Sequence, residues 1–457
     1  MQKGLTPAQA MTRAAELFSA NNFKDAQALC EGILRVDAGH FYALHLLGTI
    51  AVLESRWEDG VGYTSRAIAI DPRHAEVLCN RGAALRMLNR FEEALADYDR
   101  ALAVMPRYAS AWNNRGVALA ALNRHREALE SYERALEIDP GFARGRFNRA
   151  ISRLTLGDFE GGLPDYELRW SGSELRTAPR TFAQPRWTGR EDLRGKTILL
   201  HAEQGFGDTI QFCRYVPLVK ERGAKVVIEV QAPLEALLAR VAGVDQVIAS
   251  GKSLPAFDFH SPFASLPLAF GTRVDSIPND VPYFSALPER VDRWRERLGG
   301  TSGPRVGLAW SGSAILRNDR NRSMSLAMLA SAVGNTGCSL VSLQKDVRDS
   351  DRGALEGSGI ARFESEIGDF EDSAALASLM DVVVCVDTSV AHLAGALAKP
   401  VWLLLPFSPD WRWMLEREDT LWYPTARLFR QERIGDWEPV LHRVREELEA
   451  RSWNRTR

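Results

Sequence analysis

The apolar positions of the chain follow two different patterns. Between residues 43 and 170, small and large apolar residues recur with a period of 34 residues. From about residue 194 onward, short apolar runs such as Val382–Val386 alternate with longer amphipathic stretches. A short, unbroken apolar run is typical of a strand that is buried on both faces, as in a parallel sheet. The pattern therefore predicts a helical repeat array followed by an α/β region.

The repeated residues of the first region are small, aromatic or helix-ending. They stand in register as Gly48, Gly82 and Gly116; Ala67, Ala101 and Ala135; Tyr98, Tyr132 and Tyr166; and Pro72, Pro106 and Pro140. This set resembles the tetratricopeptide repeat, most completely in the stretch ASAWNNRGVALAALNRHREALESYERALEIDP. The resemblance implies about five helix pairs over residues 1–170, stacked into an α-solenoid with a concave surface.

A second set of repeated residues points to binding. Asn80, Asn114 and Asn148 each stand two places before the repeat glycine or its alanine substitute, which predicts a line along the concave face. A carboxamide can donate to a peptide carbonyl and accept from a peptide N–H, so the line predicts an acceptor-binding ladder for extended polypeptide. It resembles the asparagine ladder of the eukaryotic O-GlcNAc transferase, although Leu46 interrupts it. The alternative is that these asparagines are solvated or bond within the array.

The second region runs twice through strands alternating with helices. We expect strands at 197–201, 226–230, 246–249 and 257–260 and a helix at 233–241, then strands at 306–310, 339–343, 382–386 and 401–405 and helices at 289–298, 325–333, 374–380, 389–397 and 437–450. Two such series in tandem predict a two-lobed α/β domain with a cleft between the lobes. The expected borders are a linker at 171–193, an N-terminal lobe at 194–285 and a C-terminal lobe at 286–457.

The turn Asp387-Thr388-Ser389 follows a predicted strand and precedes a predicted helix. Unpaired backbone N–H groups and the helix dipole favour an anion at such a turn, and the two hydroxyl groups add donors. His392 lies one helical turn further on. We interpret the turn as the site that holds the phosphates of a nucleotide-activated sugar. The alternative is that its side chains only cap the helix.

Two more stretches lie at predicted carboxyl ends of strands. In the first, Gly205 and Gly207 allow a close backbone approach, and Asp208 lies at a helix start. The second begins at Ser311-Gly312. Three arginines follow it and could bind a diphosphate in bidentate fashion, unless the loop is simply a solvated charged one. They are Arg317, Arg320 and Arg322.

The segments GFGDTIQFCRYVP, GLAWSGS and VDTSVAHLAGALAKP together resemble the bacterial heptosyltransferase family of GT-B glycosyltransferases, over about residues 195–430. The resemblance implies an α-solenoid followed by a GT-B fold, with transfer from a nucleotide-sugar donor and without a metal ion or other cofactor. It implies that Asp208 is the catalytic base and that His392 is catalytic or donor-binding. Gly205 and Gly207 would face the acceptor. The resemblance implies that Ser311, Asp387, Thr388 and Ser389 bind the donor. From the loop itself we assign the same role to Gly312, Arg317, Arg320 and Arg322.

A repeat array fused to a transferase domain also resembles the bacterial flagellin glycosyltransferases. Flagellin or another protein is therefore the expected acceptor. Two alternatives stay open: a saccharide or lipid-linked acceptor with the repeats as a docking module, and a catalytically inactive repeat scaffold. The donor base and sugar, the acceptor residue, the stereochemical outcome and the oligomeric state are not readable from the sequence.

Composition limits the possible partners and the cellular compartment of the protein. The formal charge of −2 over 457 residues gives no electrostatic footprint for nucleic acid. Five scattered cysteines without metal-ligand spacing predict free thiols in a reducing compartment. The sequence shows neither a signal-peptide pattern nor an apolar run of about 20 residues, the length that spans a bilayer. We therefore expect a soluble, cytoplasmic protein.

Overall fold

A computed structural model describes residues 5–172, 179–300, 303–315 and 318–451. By its contacts the chain divides into two compact units, Met1–Arg153 and Leu154–Arg457. The borders that the sequence predicts at residues 170, 193 and 285 stay predictions. Among the described residues, no helix is both long and apolar enough to cross a membrane.

The repeat region consists of successive α-helices joined by short turns. They are α1 (Pro7–Ser19), α2 (Phe23–Val36), α3 (Phe41–Leu53), α4 (Trp57–Ile70), α5 (Ala75–Met87), α6 (Phe91–Val104), α7 (Ala109–Ala121), α8 (His125–Ile138), α9 (Ala143–Thr155) and α10 (Phe159–Tyr166). Their lengths and order confirm the predicted solenoid of tetratricopeptide type.

The turns inside the helix pairs repeat the same backbone geometry. Asn21, Ser55, Asn89 and Asn123, each 34 residues from the next, have φ between 58° and 61°. A residue in this left-handed region reverses the chain within a short turn, and asparagine tolerates it better than most side chains do. The longer connections between pairs carry the repeat prolines, which lie two residues beyond the ends of α4, α6 and α8. The 34-residue period is thus visible in the backbone itself.

Helices within a pair pack closely because glycine faces a buried ring. A Cβ atom on Gly82 would lie 2.6 Å from the ring of Tyr98, and one on Gly116 would lie 2.5 Å from the ring of Tyr132. Both tyrosines are buried. The repeat before them places Thr64 against Gly48 instead. At positions 82 and 116, glycine is therefore required by the tyrosine ring of the partner helix.

The second unit contains two parallel sheets. The first has the order β3-β2-β1-β4 and the second the order β6-β5-β7-β8-β9, with all the pairings parallel. The strands are β1 (Thr197–His201), β2 (Lys225–Val230), β3 (Gln246–Ala249), β4 (Phe259–Pro262), β5 (Arg305–Ala309), β6 (Ser339–Ser342), β7 (Val382–Val386), β8 (Val401–Leu405) and β9 (Ala426–Arg430). The two-lobed α/β architecture is confirmed, and we call the parts around β1–β4 and β5–β9 the N-terminal and C-terminal lobes.

Helices connect and cover these strands. They are α11 (Arg169–Gly172), α12 (Phe206–Phe212), α13 (Val216–Glu221), α14 (Glu235–Leu238), α15 (Leu266–Ala269), α16 (Pro288–Leu298), α17 (Asp319–Arg322), α18 (Leu326–Val333), α19 (Asp349–Gly357), α20 (Phe370–Ser378), α21 (Ser389–Ala396) and α22 (Glu438–Ala450). In the C-terminal lobe, Val306, Val382 and Val384 from the sheet pack with Leu329 and Val444 from helices in one buried core.

Several elements of the second unit differ from the prediction. The strand expected at 257–260 is β4, which extends to Pro262 because an edge strand can tolerate a residue without an N–H group. The sequence analysis missed β9, an edge strand of the second sheet, whose arginines break the apolar run. The helix expected at 233–241 is a 3₁₀ turn at Ala232–Leu234 followed by the single turn of α14.

Candidate functional site

Two loop-to-helix junctions, one from each lobe of the second unit, meet at their helix starts. Helix α12 follows β1 of the N-terminal lobe, and α21 follows β7 of the C-terminal lobe. A Cβ atom on Gly207 would lie 2.7 Å from Cδ2 of His392 and 3.5 Å from Cα of Ser389. Gly207 therefore lets the lobes touch, while Gly205 is the exposed N-cap of α12.

Asp208 points from the N-terminal lobe toward the C-terminal lobe. Its Oδ2 accepts a hydrogen bond of 2.9 Å from the N–H of Gly205, and its Oδ1 accepts one from Nη2 of Arg412. The side chain remains 24% exposed. Burial raises the pKa of Asp208, and the positive charge of Arg412 opposes that shift. The carboxylate thus combines a helix-capping role with a position at the junction.

Arg412 is the residue at this junction that the sequence analysis missed. Its Nη1 donates to Asp410 at 2.9 Å and its Nε to Gln211 at 2.6 Å. The guanidinium also lies over the ring of Trp411, 4.9 Å from the centroid. The available signal was the position of Arg412 between two tryptophans, which indicates burial. A buried arginine needs acidic partners close by.

His392 lies at the base of the junction. Its Nδ1 is 2.9 Å from the hydroxyl of Tyr423, and its ring stacks on Trp413 with centroids 5.4 Å apart. Burial lowers the pKa of His392 well below its usual value, and nearby arginines, first Arg412, act in the same direction. The imidazole is therefore neutral at physiological pH. Trp411, Trp413, Trp422 and Tyr423 are buried here, as packing residues are.

The turn Asp387–Ser389 has two interpretations from the sequence, a phosphate site and a helix cap. Thr388 is the N-cap of α21, and its hydroxyl accepts a 3.2 Å hydrogen bond from the N–H of Val390, so the capping interpretation holds. The turn residues are only half-buried, which leaves the helix terminus accessible. Burial, reinforced by the negative charge of Asp410, raises the pKa of Asp387 to about 6. Contacts with Trp413 and the nearby arginines oppose that shift.

Arg322 connects this turn to the loop after β5. Its Nη1 donates to the carbonyl oxygen of Asp387 at 2.9 Å, and its guanidinium covers Gly312, where a Cβ atom would clash with it. Ser311 is buried, and Gln344 binds both its backbone N–H and its carbonyl. The structure thus brings Ser311, Gly312 and Arg322 to the Asp387 turn. Arg320 is exposed on α17, and Arg317 lies outside the described residues.

The asparagine ladder lies in the first unit, and its amide groups have partners there. Nδ2 of Asn80 donates to Oγ1 of Thr49 at 3.0 Å, and Nδ2 of Asn148 donates to Oδ1 of Asn113 at 2.9 Å. Nδ2 of Asn114 lies 3.6 Å from the sulfur of Cys79. The three side chains are half-buried and bond within the array, as the alternative interpretation expects. Contact with a polypeptide stays a prediction.

Comparison with known proteins supports the repeat region. The sequence model of the tetratricopeptide repeat matches residues 75–108 and 109–142. Protein FlbA of Caulobacter vibrioides is 31% identical over 312 residues, which cover 62% of this chain and 51% of that protein. The chain thus spans about half the length of this curated relative. The match establishes a related sequence without establishing a chemical activity.

Two of the solved structures similar to this chain are described as tetratricopeptide-repeat proteins. A tetratricopeptide-repeat protein of Thermus thermophilus is 21% identical, with 36% of this chain and 91% of that chain covered and a TM-score of 0.32. YrrB, described as a repeat protein with an unusual peptide-binding site, is 20% identical with the same TM-score and covers 36% of this chain and 86% of its own. The family match and the helix pairs together identify a repeat module of the class that mediates protein interaction.

Proposed function

We propose that the chain is a metal-independent glycosyltransferase of GT-B type. It transfers a sugar from a nucleotide-sugar donor to a protein acceptor that the repeat array holds. One observation carries the proposal: Asp208 of the N-terminal lobe reaches Arg412 of the C-terminal lobe, beside the accessible start of α21. A carboxylate and an anion-favouring helix terminus, one from each lobe, are what transfer from a diphosphate leaving group requires.

The donor diphosphate would lie at the start of α21. Backbone N–H groups and the helix dipole favour negative charge there, and the guanidinium of Arg322 is bonded to the same turn. Arg320, exposed nearby, would add a second positive charge. Asp387 opposes phosphate binding at this turn, because its carboxylate repels phosphate when ionised. Its raised pKa reduces that repulsion only on the acidic side of neutrality.

The acceptor hydroxyl would transfer its proton to Asp208. As the oxygen of the acceptor bonds to the anomeric carbon, the bond from that carbon to the phosphate breaks and the diphosphate leaves with the electron pair. Each carboxylate oxygen of Asp208 has one partner in the structure and can accept a second hydrogen bond. Burial raises the pKa of Asp208 toward the range in which a general base works efficiently. His392, buried and neutral, would hold the donor rather than exchange protons.

The acceptor is proposed to be a polypeptide, with flagellin as the candidate suggested by the resemblance to flagellin glycosyltransferases. Tetratricopeptide repeats are protein-interaction modules, and Asn80, Asn114 and Asn148 would contact its backbone. Replacing these three asparagines together by alanine is expected to raise the KM for a protein acceptor and leave the KM for the donor unchanged. An unchanged KM for the acceptor would limit the ladder to a structural role.

The decisive experiment compares Asp208→Asn with Asp410→Asn, since both carboxylates bind Arg412. Loss of a general base costs about 10²–10⁴ in rate. We therefore expect Asp208→Asn to abolish sugar transfer while nucleotide-sugar binding is retained, and Asp410→Asn to retain most of the transfer. Equal transfer rates in the two variants would remove Asp208 from the role of base. Running the assay against polypeptide and glycolipid fractions distinguishes a protein acceptor from a lipid-linked one.

One observation favours a second candidate, a repeat scaffold without catalysis. The carboxylate of Asp208, the guanidinium of Arg322 and the hydroxyl of Thr388 all have partners within the chain. A site used only for packing would be built in this way. Failure of every nucleotide sugar to bind would favour the scaffold over the enzyme.

A further inference from the structure

A cluster of metal-ligand side chains lies in the first unit. His45 is on α3, while His74 and Glu76 stand at the N-cap and in the first turn of α5. Each offers one ligand atom, and the three atoms lie within 4.8 Å of one another. Two histidines and a carboxylate are a ligand set that binds zinc and similar ions in proteins.

The two imidazoles are spaced as they would be on one ion. Their ring centroids are 5.3 Å apart with an interplanar angle of 64°. With metal–nitrogen bonds of about 2.0–2.1 Å and a tetrahedral angle, two imidazoles on one zinc ion have centroids about 5 Å apart. Phe41 packs against His74 with centroids 5.0 Å apart and supports this ring from one side. The rings therefore need little movement to share an ion.

The nitrogen atoms at this cluster are poorly satisfied without an ion. Nδ1 of His74 is buried, and within the described part of the chain it has no hydrogen-bond partner. Among the described residues, the one hydrogen-bond partner of Nε2 of His45 is the amide of Asn80, at the long distance of 3.5 Å. A buried polar atom without a partner is rare, and a bound cation would supply one.

The repeat architecture does not require this cluster. The residues 34 positions further on are Cys79, Tyr108 and Ser110, and they do not form a comparable ligand set. The pair of positions still packs together there, through the side chains of Cys79 and Tyr108. The ligand set is therefore an addition to the repeat rather than part of its framework.

We propose that His45, His74 and Glu76 bind a divalent transition-metal ion of the zinc class. One nitrogen of each imidazole and one carboxylate oxygen are the protein ligands, and water completes the coordination. Glu76 is exposed, so the ion enters from solvent and its fourth position stays open. The site lies beside Asn80, at one end of the asparagine ladder.

Cobalt titration of the full-length chain, freed of metal and kept reduced, tests the proposal. Co²⁺ in a tetrahedral site of nitrogen and oxygen ligands absorbs visible light much more strongly than the hydrated ion. We expect one equivalent to produce this band, and zinc to displace it. Even the loss of an outer-shell partner weakens metal binding about 10–100-fold, so His74→Gln and Glu76→Gln should each weaken it at least tenfold.

Both variants are expected to fold, because His74 makes no side-chain capping bond and Glu76 is exposed. Helical circular dichroism checks this directly. Glu58→Gln is the matched control for Glu76→Gln, since Glu58 is the exposed second residue of α4 as Glu76 is of α5. The control should bind cobalt like the wild type. No visible band at saturating Co²⁺ would overturn the proposal. So would a thiolate band in the near ultraviolet that His74→Gln leaves unchanged, because it would place the metal on cysteine.

Discussion

Replacing Arg412 by methionine tests how the two lobes are held at the candidate site. The change keeps much of the side-chain volume but removes the bonds to Asp208, Asp410 and Gln211. It leaves two carboxylates near each other without a compensating charge. Removing one partner of a fully buried ion pair costs about 3–5 kcal/mol. Because the carboxylates of Asp208 and Asp410 are 24% and 37% exposed, solvent screens part of this loss. We expect a loss of about 2–3 kcal/mol.

The cost should depend on pH. Without Arg412, the folded-state pKa of Asp208 rises further above the unfolded value, because burial already raises it and the opposing charge is gone. A carboxyl group with a raised folded pKa loses stability as pH rises through that pKa. The deficit of Arg412→Met is therefore largest at neutral pH and shrinks toward pH 4. Adding Asp208→Asn to the same chain should recover part of the stability.

Urea unfolding followed by tryptophan fluorescence measures this effect in the second unit. Of the 12 tryptophans, only Trp57 and Trp112 belong to the first unit. Arg417→Met is the matched control, because Arg417 pairs with Asp419, a carboxylate that is 71% exposed. Exposed pairs contribute about 0–1 kcal/mol, so the control should change little. Equal losses in Arg412→Met and Arg417→Met, independent of pH, would refute the reasoning.

Two further predictions concern packing and protonation. Gly116→Ala puts a Cβ atom 2.5 Å from the ring of Tyr132 and should destabilise the repeat unit by about 1–3 kcal/mol. Gly62→Ala, with open space at its Cβ, should instead stabilise the unit by up to about 1 kcal/mol. Thermal melts followed by circular dichroism measure both variants, and similar effects on stability would contradict the packing argument. Asp387, whose pKa is about 6 in the folded chain against the usual 3.8, keeps a proton that the unfolded chain releases. The free energy of unfolding should therefore fall by at most about 3 kcal/mol between pH 4 and pH 6, and Asp387→Asn should remove that fall. An unchanged slope in the variant would place the titration elsewhere.

The sequence predicted the fold wherever local signals agree with burial. The turn at 387–389 was found because strands buried on both faces are unbroken apolar runs, and the repeats because glycine and tyrosine recur together. The edge strands β4 and β9 were misplaced or missed because one carries proline and the other arginines, and neither is a clean apolar run.

Long-range partners could not be read from the sequence in the same way. Arg412 and Asp208 are 204 residues apart, and only the folded chain brings them together. Thr388 and Ser389 were recognisable because a helix terminus is a local feature, whereas the stack of His392 on Trp413 was not. The sequence therefore located the parts of the candidate site, but not the contacts that hold them to one another.

Calorimetric titration of the full-length chain with a panel of nucleotide sugars tests the central claim most directly. The account predicts that at least one donor binds with one equivalent per chain. A hydrogen bond to a charged group contributes about 1.5–3 kcal/mol, so Arg322→Met should weaken that binding about tenfold or more. If no donor in the panel binds, or if Arg322→Met binds as the wild type does, the start of α21 is not a diphosphate site and the enzymatic proposal is wrong.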